Sequence, residues 1–309
     1  MRIRATVAAV SGALALSSLA VPGAQADGSA GRRADIATVR EAVHPASGKT
    51  AFTGSTGDAE EPYKLDLTFS NVKVNNGKPI VVGTTHWVSV PVTFSVKHAA
   101  SVDITADDFL LDLELYHGDF YETVDYLYGD DAPSCTVTSS TAATCKATID
   151  VYPQYGDLRN DEAGTWRAAG VAIALKGIDP VDKNADWSKV GYTDQGALAT
   201  TKLQRYSKLT ANAAPEPVTK GTPVTVTGLL SRANWDTGTY TGYTAQPVQL
   251  QFRKKTSNTY TTLKTGTSYS KGLLKTTTTA TVDGYFRYSF AGTSTTPAVN
   301  AAGDYVDVK

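Results

Sequence analysis

Hydrophobic and polar residues alternate along most of the chain after residue 62, which is the period of β-strands that bury one face. The clearest run lies at 87–97, where one face is formed by Val88, Val90, Val92, Phe94 and Val96. Similar runs begin near Tyr63, Phe109, Cys145 and Gly164. About seven such strands within about 115 residues, joined by turns rich in Gly, Asp and Asn, predict a β-sandwich.

A second series of strands starts within residues 208–230. A short strand at 209–212 is followed by Pro215 and Pro217, and a turn at Lys220–Gly221 leads into a strand that places Val224 and Val226 on one face. Alternation resumes at 247–253, 274–282, 284–291 and 305–309. The pattern therefore predicts a second sandwich that follows the first along the chain.

Between these two series the apolar period fades. Residues 178–205 are dominated by Asp, Asn, Lys and Gly, which favours a linker or an extended final hairpin. Residues 27–61 are rich in small and polar residues, which predicts a flexible lead-in with, at most, a short helix at 36–43. The predicted units are a lead-in at 27–61, a sandwich at 62–179, a linker at 180–206 and a sandwich at 207–309.

The N-terminus has the three parts of a secretory signal peptide. Arg2 and Arg4 precede an apolar stretch at 5–21, and Ala24-Gln25-Ala26 is a cleavage signal, which predicts a signal peptide over 1–26. No later apolar run is long enough to cross a bilayer, so we expect no membrane anchor. The predicted location is extracellular and secreted.

The two cysteines, Cys135 and Cys145, lie ten positions apart in strand-like sequence. In an oxidising compartment this spacing predicts one disulfide across a hairpin.

Formal charge is distributed unevenly along the chain. Residues 27–205 carry 16 basic and 25 acidic side chains and residues 206–309 carry 11 and 5, so the net formal charges are −9 and +6. The split indicates either different ligand preferences or attraction between neighbouring domains.

Residues 208–309 resemble the immunoglobulin-like domains of secreted actinobacterial proteins. The resemblance is carried by Leu-Thr-Ala at 209–211, Val-Thr-Val-Thr-Gly at 224–228, Pro-Val-Gln-Leu-Gln-Phe-Arg at 247–253 and Asp-Gly-Tyr-Phe-Arg-Tyr-Ser-Phe-Ala-Gly at 283–292. Trp166 and the strand at 171–175 indicate a more divergent copy at 62–179. The resemblance implies an all-β chain with two immunoglobulin-like β-sandwich domains in tandem, and it implies little about function because this fold hosts many.

Catalytic motifs are absent from the sequence. It has no Gly-x-Ser-x-Gly elbow, no His-Glu-x-x-His and no phosphate loop, and its four histidines are scattered. Oxygen ligands at Asp182, Asn184 and Asp186 follow the start of a calcium loop, but Trp187 and Thr193 stand where that loop needs Gly and Glu. Calcium at this segment and ordinary turn formation by the same residues both stay open.

Aromatic and acidic residues occur together in three places, and rings beside hydrogen-bond acceptors can bind sugars. They are 116–122, 126–131 and the loop with Trp235, Tyr240 and Tyr243, the last being our predicted ligand site. The basic run at 253–255 either faces an anionic polymer or protects a sheet edge.

We therefore predict a secreted, non-enzymatic binding or structural protein, with a glycan or cell-wall polymer as partner and no nucleic acid. A calcium-binding secreted protein and an extracellular polymer hydrolase are the alternatives. The pattern makes no prediction of oligomeric state.

Overall fold

Two β-sandwiches follow an N-terminal helix in the computed structural model, which describes residues 26–44, 61–121 and 125–309. Residues 1–25 of the predicted signal peptide and residues 45–60 of the predicted lead-in lie outside the described residues. The fold is all-β with two sandwiches in tandem, as the alternation predicts.

The first sandwich contains ten strands, which are β1 (Tyr63–Lys64), β2 (Leu67–Val74), β3 (Ile80–Val82), β4 (Val88–His98), β5 (Phe109–His117), β6 (Asp125–Leu127), β7 (Ser134–Ser139), β8 (Ala142–Val151), β9 (Gly164–Ala174) and β10 (Gly191–Arg205). One sheet has the order β1-β10-β9-β5-β6 with β3 beside β10, and the other has the order β2-β4-β8-β7. Short 3-10 helices lie at Asn75–Gly77, Pro153–Tyr155, Asn160–Glu162 and Trp187–Lys189.

The core of the first sandwich lies between these two sheets. Strand β5 contributes Leu111, Leu113 and Leu115, while strand β4 contributes the apolar face that the sequence predicts. Strand β2 has a break in register against β4 between Ser70 and Lys73. Period-two alternation therefore identified these strands correctly, because each has an apolar face toward the core.

The predicted disulfide is confirmed. Cys135 on β7 lies directly opposite Cys145 on β8, and their sulfur atoms are bonded. The bond closes the hairpin at the edge of the four-stranded sheet.

A helix, α1 (Ala26–Val43), lies where the sequence predicted the first part of a flexible lead-in, so that prediction is wrong for these residues. Ile36 and Val39 pack against Val171 and Ile173 on the outer face of β9. Only a short apolar stripe marks the helix in the sequence, and its further contacts are with side chains distant in the chain.

Charged residues on β5 provide those contacts. Arg32 pairs with Asp112 at 2.8 Å, and Arg40 pairs with Glu114 at 2.7 Å. Both carboxylates alternate with the inward leucines, so they lie on the outer face of the sheet, and the helix buries them there. The acidic outer face of β5 is therefore an internal surface of the molecule.

The predicted linker at 180–206 is wrong in its second half, where the alternative of an extended final hairpin is confirmed by the antiparallel pairing of β9 with the next strand. Residues 191–205 form β10, the longest strand described, which lies between β9 on one side and β1 and β3 on the other. A register break between Gln195 and Ala199 interrupts its alternation, and the polar Thr193 and Thr201 stand opposite the core residues Ala172 and Trp166. For these reasons the strand resembles a polar linker in the sequence, although the first sandwich extends to residue 205.

The second sandwich contains β11 (Ser207–Leu209), β12 (Asn212–Ala214), β13 (Pro223–Asn234), β14 (Thr239–Gly242), β15 (Pro247–Lys254), β16 (Thr261–Thr267), β17 (Leu273–Thr279), β18 (Gly284–Phe290), β19 (Val299–Asn300) and β20 (Asp304–Val306), with a 3-10 helix at Ser270–Gly272. In one sheet β13 pairs with β11, β12, β14 and β17, and the other has the order β16-β15-β18-β19 with β20 beside β18. Its core includes Val224, Val226, Leu250, Phe286 and Phe290, as predicted.

The two sandwiches meet without a linker. Only Tyr206 separates β10 from β11, and its backbone nitrogen donates to the carbonyl of Val82 at 2.8 Å. The Trp235 side chain belongs to the first sandwich's hydrophobic cluster, and its indole Nε1 donates to the Gly83 carbonyl at 3.0 Å. Asn160 binds Asp236 across the junction. Separate folding of the two sandwiches stays a prediction.

Candidate functional site

A pair of stacked aromatic rings lies at one end of the four-stranded sheet. Trp87 precedes β4 and Tyr152 follows β8, and the antiparallel register places Val88 opposite Val151. The two rings are therefore neighbours, with centroids 5.8 Å apart and an interplanar angle of 18°. Trp87 is 55% exposed, so an indole that would normally be buried faces solvent at this end.

Carboxylates border this aromatic pair. The Tyr152 hydroxyl donates to Asp130, and the Tyr152 backbone nitrogen donates to Asp157 at 2.9 Å. Asp150 accepts from the Asp130 backbone nitrogen at 2.9 Å, which holds the loop after β6 against the end of β8. The site thus combines flat apolar rings with several hydrogen-bond acceptors.

Hydrogen bonding and burial raise the pKa values of Tyr152 and Asp157 at this end of the sheet. The bond to Asp130 raises the pKa of Tyr152 to about 12, because losing the phenol proton would place a second negative charge beside the carboxylate. Burial raises the pKa of Asp157 above its ordinary value. At neutral pH the Tyr152 hydroxyl is protonated and donates its hydrogen bond to Asp130.

Helix α1 also reaches the site. The guanidinium of Arg33 lies 4.0 Å from the centre of the Tyr128 ring and pairs with Asp130 at 3.1 Å. It also donates to the carbonyl of Gly129. A Cβ at Gly129 would clash with the Thr148 carbonyl oxygen, so the close approach of this loop to β8 requires glycine. We name Trp87, Tyr128, Asp130, Tyr152 and Asp157 the Trp87–Tyr152 platform.

The structure divides the aromatic segments that the sequence singled out. Residues 126–131 contribute to the Trp87–Tyr152 platform, whereas in the other segment Tyr116 is buried on the helix-covered face. Tyr121 is exposed and its ring lies 4.4 Å from the His44 ring. Tyr152 was missed because nothing in the sequence indicated that β4 and β8 pair. The available signal was an aromatic residue directly before one strong strand and directly after another.

The predicted ligand site at Trp235, Tyr240 and Tyr243 is not a single platform. Trp235 is 4% exposed within the junction, so its ring is not available for stacking on a sugar. Tyr240 and Tyr243 are half-buried, and each has a cation over its ring: Lys208 over Tyr240 at 3.5 Å and Arg232 over Tyr243 at 3.8 Å. The loop is a tight hairpin between β13 and β14, and the apolar junction explains its tryptophan.

The predicted calcium ligands form turns. Asp182 Oδ1 accepts from the Asn184 backbone nitrogen at 2.9 Å, and Asp186 pairs with Lys189 at 2.9 Å and accepts from the Ser188 hydroxyl at 2.5 Å. Within residues 26–44, 61–121 and 125–309, no three His, Cys, Asp or Glu residues are grouped as a metal site. Calcium binding at 182–186 stays a prediction, and the hydrogen bonds explain these residues as turn formers.

No helix within the described part of the chain is long and apolar enough to cross a membrane.

Comparison with known proteins gives structural matches only. No family model matches the chain. No curated protein matches it either.

Similar solved structures include the Yersinia pseudotuberculosis adhesin InvE, with 13% identity, a TM-score of 0.24 and coverage of 78% of this chain and 60% of that one. An I-band fragment of titin has 9% identity, a TM-score of 0.32 and coverage of 79% and 66%. The Escherichia coli adhesin FdeC has 14% identity, a TM-score of 0.28 and coverage of 79% and 65%. The chain therefore spans less than two thirds of the length of each of these solved chains.

Proposed function

We propose that this chain is a secreted, non-enzymatic extracellular binding protein that holds a glycan or cell-wall polymer on the Trp87–Tyr152 platform. The observation that carries the proposal is the exposed, stacked aromatic pair with Asp130 and Asp157 beside it. The predicted signal peptide at 1–26 supports an extracellular location.

Sugars fit both parts of this surface. The C–H face of a pyranose packs on an aromatic ring, while sugar hydroxyls donate to carboxylate oxygens. Asp130 holds the Tyr152 ring in place through the phenol hydroxyl and is itself half-exposed, so it can also accept from a ligand. Because Tyr152 stacks against Trp87, the indole is held before a ligand arrives, which lowers the entropy cost of binding.

A panel of immobilised glycans and bacterial wall polymers tests the proposal, probed with the purified chain with and without calcium. We expect Trp87→Ala to weaken binding to the selected glycan by about tenfold, since it removes one stacking face. Tyr269→Ala is the matched control, because Tyr269 is 47% exposed but lies in the second sandwich. The control should bind as the unchanged chain does.

The effect of calcium on binding distinguishes the proposed function from the calcium-binding alternative that the sequence left open. Comparing Asp182→Asn/Asp186→Asn with the unchanged chain shows whether any calcium effect comes from that segment. Binding that survives Trp87→Ala, or a panel with no bound glycan, contradicts the proposed site. If Asp182→Asn/Asp186→Asn abolishes a calcium effect on binding and Trp87→Ala leaves binding unchanged, the calcium-dependent alternative is favoured instead.

A further inference from the structure

The outer face of one sheet in the second sandwich carries arginine and tyrosine side chains in register. Strand β15 lies beside β18, and β18 lies beside β20, so Arg253, Tyr285 and Tyr305 form one row across three strands. Gln251 and Arg287 are paired in the adjacent row. Their sequence neighbours Phe252, Phe286 and Val306 face the core.

These side chains stack on one another. The Arg253 guanidinium lies 3.8 Å from the centre of the Tyr285 ring, and the Arg287 guanidinium lies 3.8 Å from the centre of the Tyr260 ring. Arg253 also lies 5.4 Å from Tyr260, and Tyr285 lies 5.2 Å from Tyr305. We name Arg253, Tyr260, Tyr285, Arg287 and Tyr305 the Arg–Tyr face. Stacking restricts both guanidinium planes before any ligand is present.

Both arginines retain donors for a ligand. Arg253 Nη1 donates to the Ser257 carbonyl at 2.8 Å, and Arg287 Nε donates to Gln251 Oε1 at 2.9 Å. A guanidinium has five N–H groups, so these bonds use a minority of them. Neither arginine forms an ion pair with a carboxylate within the described residues, and both side chains are partly exposed.

Protection of a sheet edge does not explain these two arginines. Edge strands use charge to prevent pairing with other chains, and such charges belong on the outermost strand. Strand β15 has β16 and β18 as neighbours, and β18 has β15 on one side and β19 and β20 on the other. Arg253 and Arg287 therefore lie on strands that have a neighbour on each side, where an edge function does not apply.

We propose that the Arg–Tyr face binds an extracellular glycan or polyol polymer that carries repeated sulfate or phosphate groups. Arg253 and Arg287 are diagonal cross-strand neighbours, so their Cα atoms lie about 7–8 Å apart, which suits two successive anionic groups. Guanidinium groups recognise such oxyanions with two parallel hydrogen bonds. The net charge of +6 over residues 206–309 attracts a polyanion to this sandwich.

The stacking arrangement favours an anionic glycan over nucleic acid. Single-stranded nucleic acids gain affinity by stacking bases on open aromatic rings. On this face the Tyr260 and Tyr285 rings are each covered by a guanidinium at 3.8 Å. The surface therefore offers charged, planar donors rather than uncovered rings.

Binding of the purified chain to immobilised dextran sulfate, long-chain polyphosphate and unmodified dextran tests the proposal. We expect binding to at least one charged polymer and none to neutral dextran. Tighter binding to dextran sulfate than to polyphosphate would identify sulfate as the recognised group, and the reverse would identify phosphate. Arg253→Lys/Arg287→Lys keeps the charge but removes the planar fork, so we expect the dissociation constant to rise about tenfold. Each single variant should give part of that rise, which keeps the test valid if the double variant is poorly folded.

Lys220→Gln/Lys275→Gln is the control, because it removes two charges elsewhere on the same sandwich and both lysines are exposed. It should change the dissociation constant by less than about threefold. An equal loss in the control, no binding of either charged polymer, or tighter binding to single-stranded DNA than to both polymers would each overturn the proposal. Trp87→Ala should leave this binding unchanged, which separates the Arg–Tyr face from the Trp87–Tyr152 platform.

Discussion

The outer sheet faces of the two sandwiches are built in opposite ways. In the first, Asp112 and Glu114 point outward from β5 and are buried beneath α1, whose arginines pair with them. In the second, Arg253 and Arg287 point outward from β15 and β18 and are stacked on tyrosines in partial contact with solvent.

The difference shows how position decides what a charged residue does. Carboxylates under a helix cannot meet an external ligand, and their pairing with arginine determines where the helix lies. Arginines on an uncovered face keep their donors for a partner. The charged residues on the outer face of the first sandwich are therefore buried and paired, whereas those of the second stay partly exposed.

Removing the tryptophan at the junction should have the largest effect on stability. Trp235→Ala leaves a cavity in the first sandwich's core although the residue follows β13 of the second, so we expect a loss of about 4 kcal/mol. Urea unfolding followed by circular dichroism measures it. Trp87→Ala is the matched control at an exposed position, and its expected cost is about 0.5 kcal/mol or less. Equal costs would show that Trp235 does not pack between the sandwiches.

Breaking one ion pair beneath the helix should have the next largest effect. Arg40→Ala leaves Glu114 buried without its partner, and we expect a loss of about 3 kcal/mol in urea unfolding at pH 8. Arg33→Ala removes a pair whose side chains are 24% and 48% exposed, so its cost should be about 1 kcal/mol or less. If the two variants lose the same stability, α1 is not held by its buried pairs.

Stability of the first sandwich should also depend on pH through Glu114. Burial raises the pKa of Glu114 to about 7 in the folded chain, against the opposing attraction of Arg40, from an ordinary value of 4.5. The folded state then binds more protons than the unfolded state between these values, so the free energy of unfolding falls as pH rises from about 4.5 to about 7. We expect a change of up to about 3 kcal/mol, and Glu114→Gln should flatten it. A profile with the same slope in both chains would contradict this assignment.

The disulfide should make the smallest of these contributions. Closing a loop of this length lowers the entropy of the unfolded chain, so Cys135→Ala/Cys145→Ala should cost roughly 2–3 kcal/mol. Thermal unfolding with and without reductant measures it, and the double variant should be insensitive to reductant. The hairpin lies at a sheet edge, so the Trp87–Tyr152 platform should keep its glycan binding in this variant. Loss of that binding would show that the hairpin supports the platform.

Most strands could be predicted because one face of each is buried, so a period of two appears in the sequence. Strand β10 was predicted only as one of two alternatives, a linker or a final hairpin, since its register break and its inward threonines hide the alternation. Helix α1 was not predicted to cover a sheet, because Arg32 and Arg40 find their partners 80 and 74 positions further along the chain. Local pattern carries no information about such pairing.

The candidate sites show the same limit. The basic run at 253–255 and the acidic aromatic segment at 126–131 were visible as composition, but strand pairing decides which residues join them. Tyr152 reaches Trp87, and Arg287 reaches Tyr260, only through registers between distant strands. The loop with Trp235 has the composition of a ligand site, yet the indole donates to the Gly83 carbonyl and packs in the core of the first sandwich.

The direct passage of β10 into β11 has a mechanical consequence. A pulling force on the second sandwich enters the first along the continuous backbone through Tyr206, with no slack segment to extend first. Strand β10 is bonded along most of its length to β9, and these hydrogen bonds lie across the direction of pull. They are therefore strained together rather than one after another, so a tethered ligand on the second sandwich would transmit tension into the first.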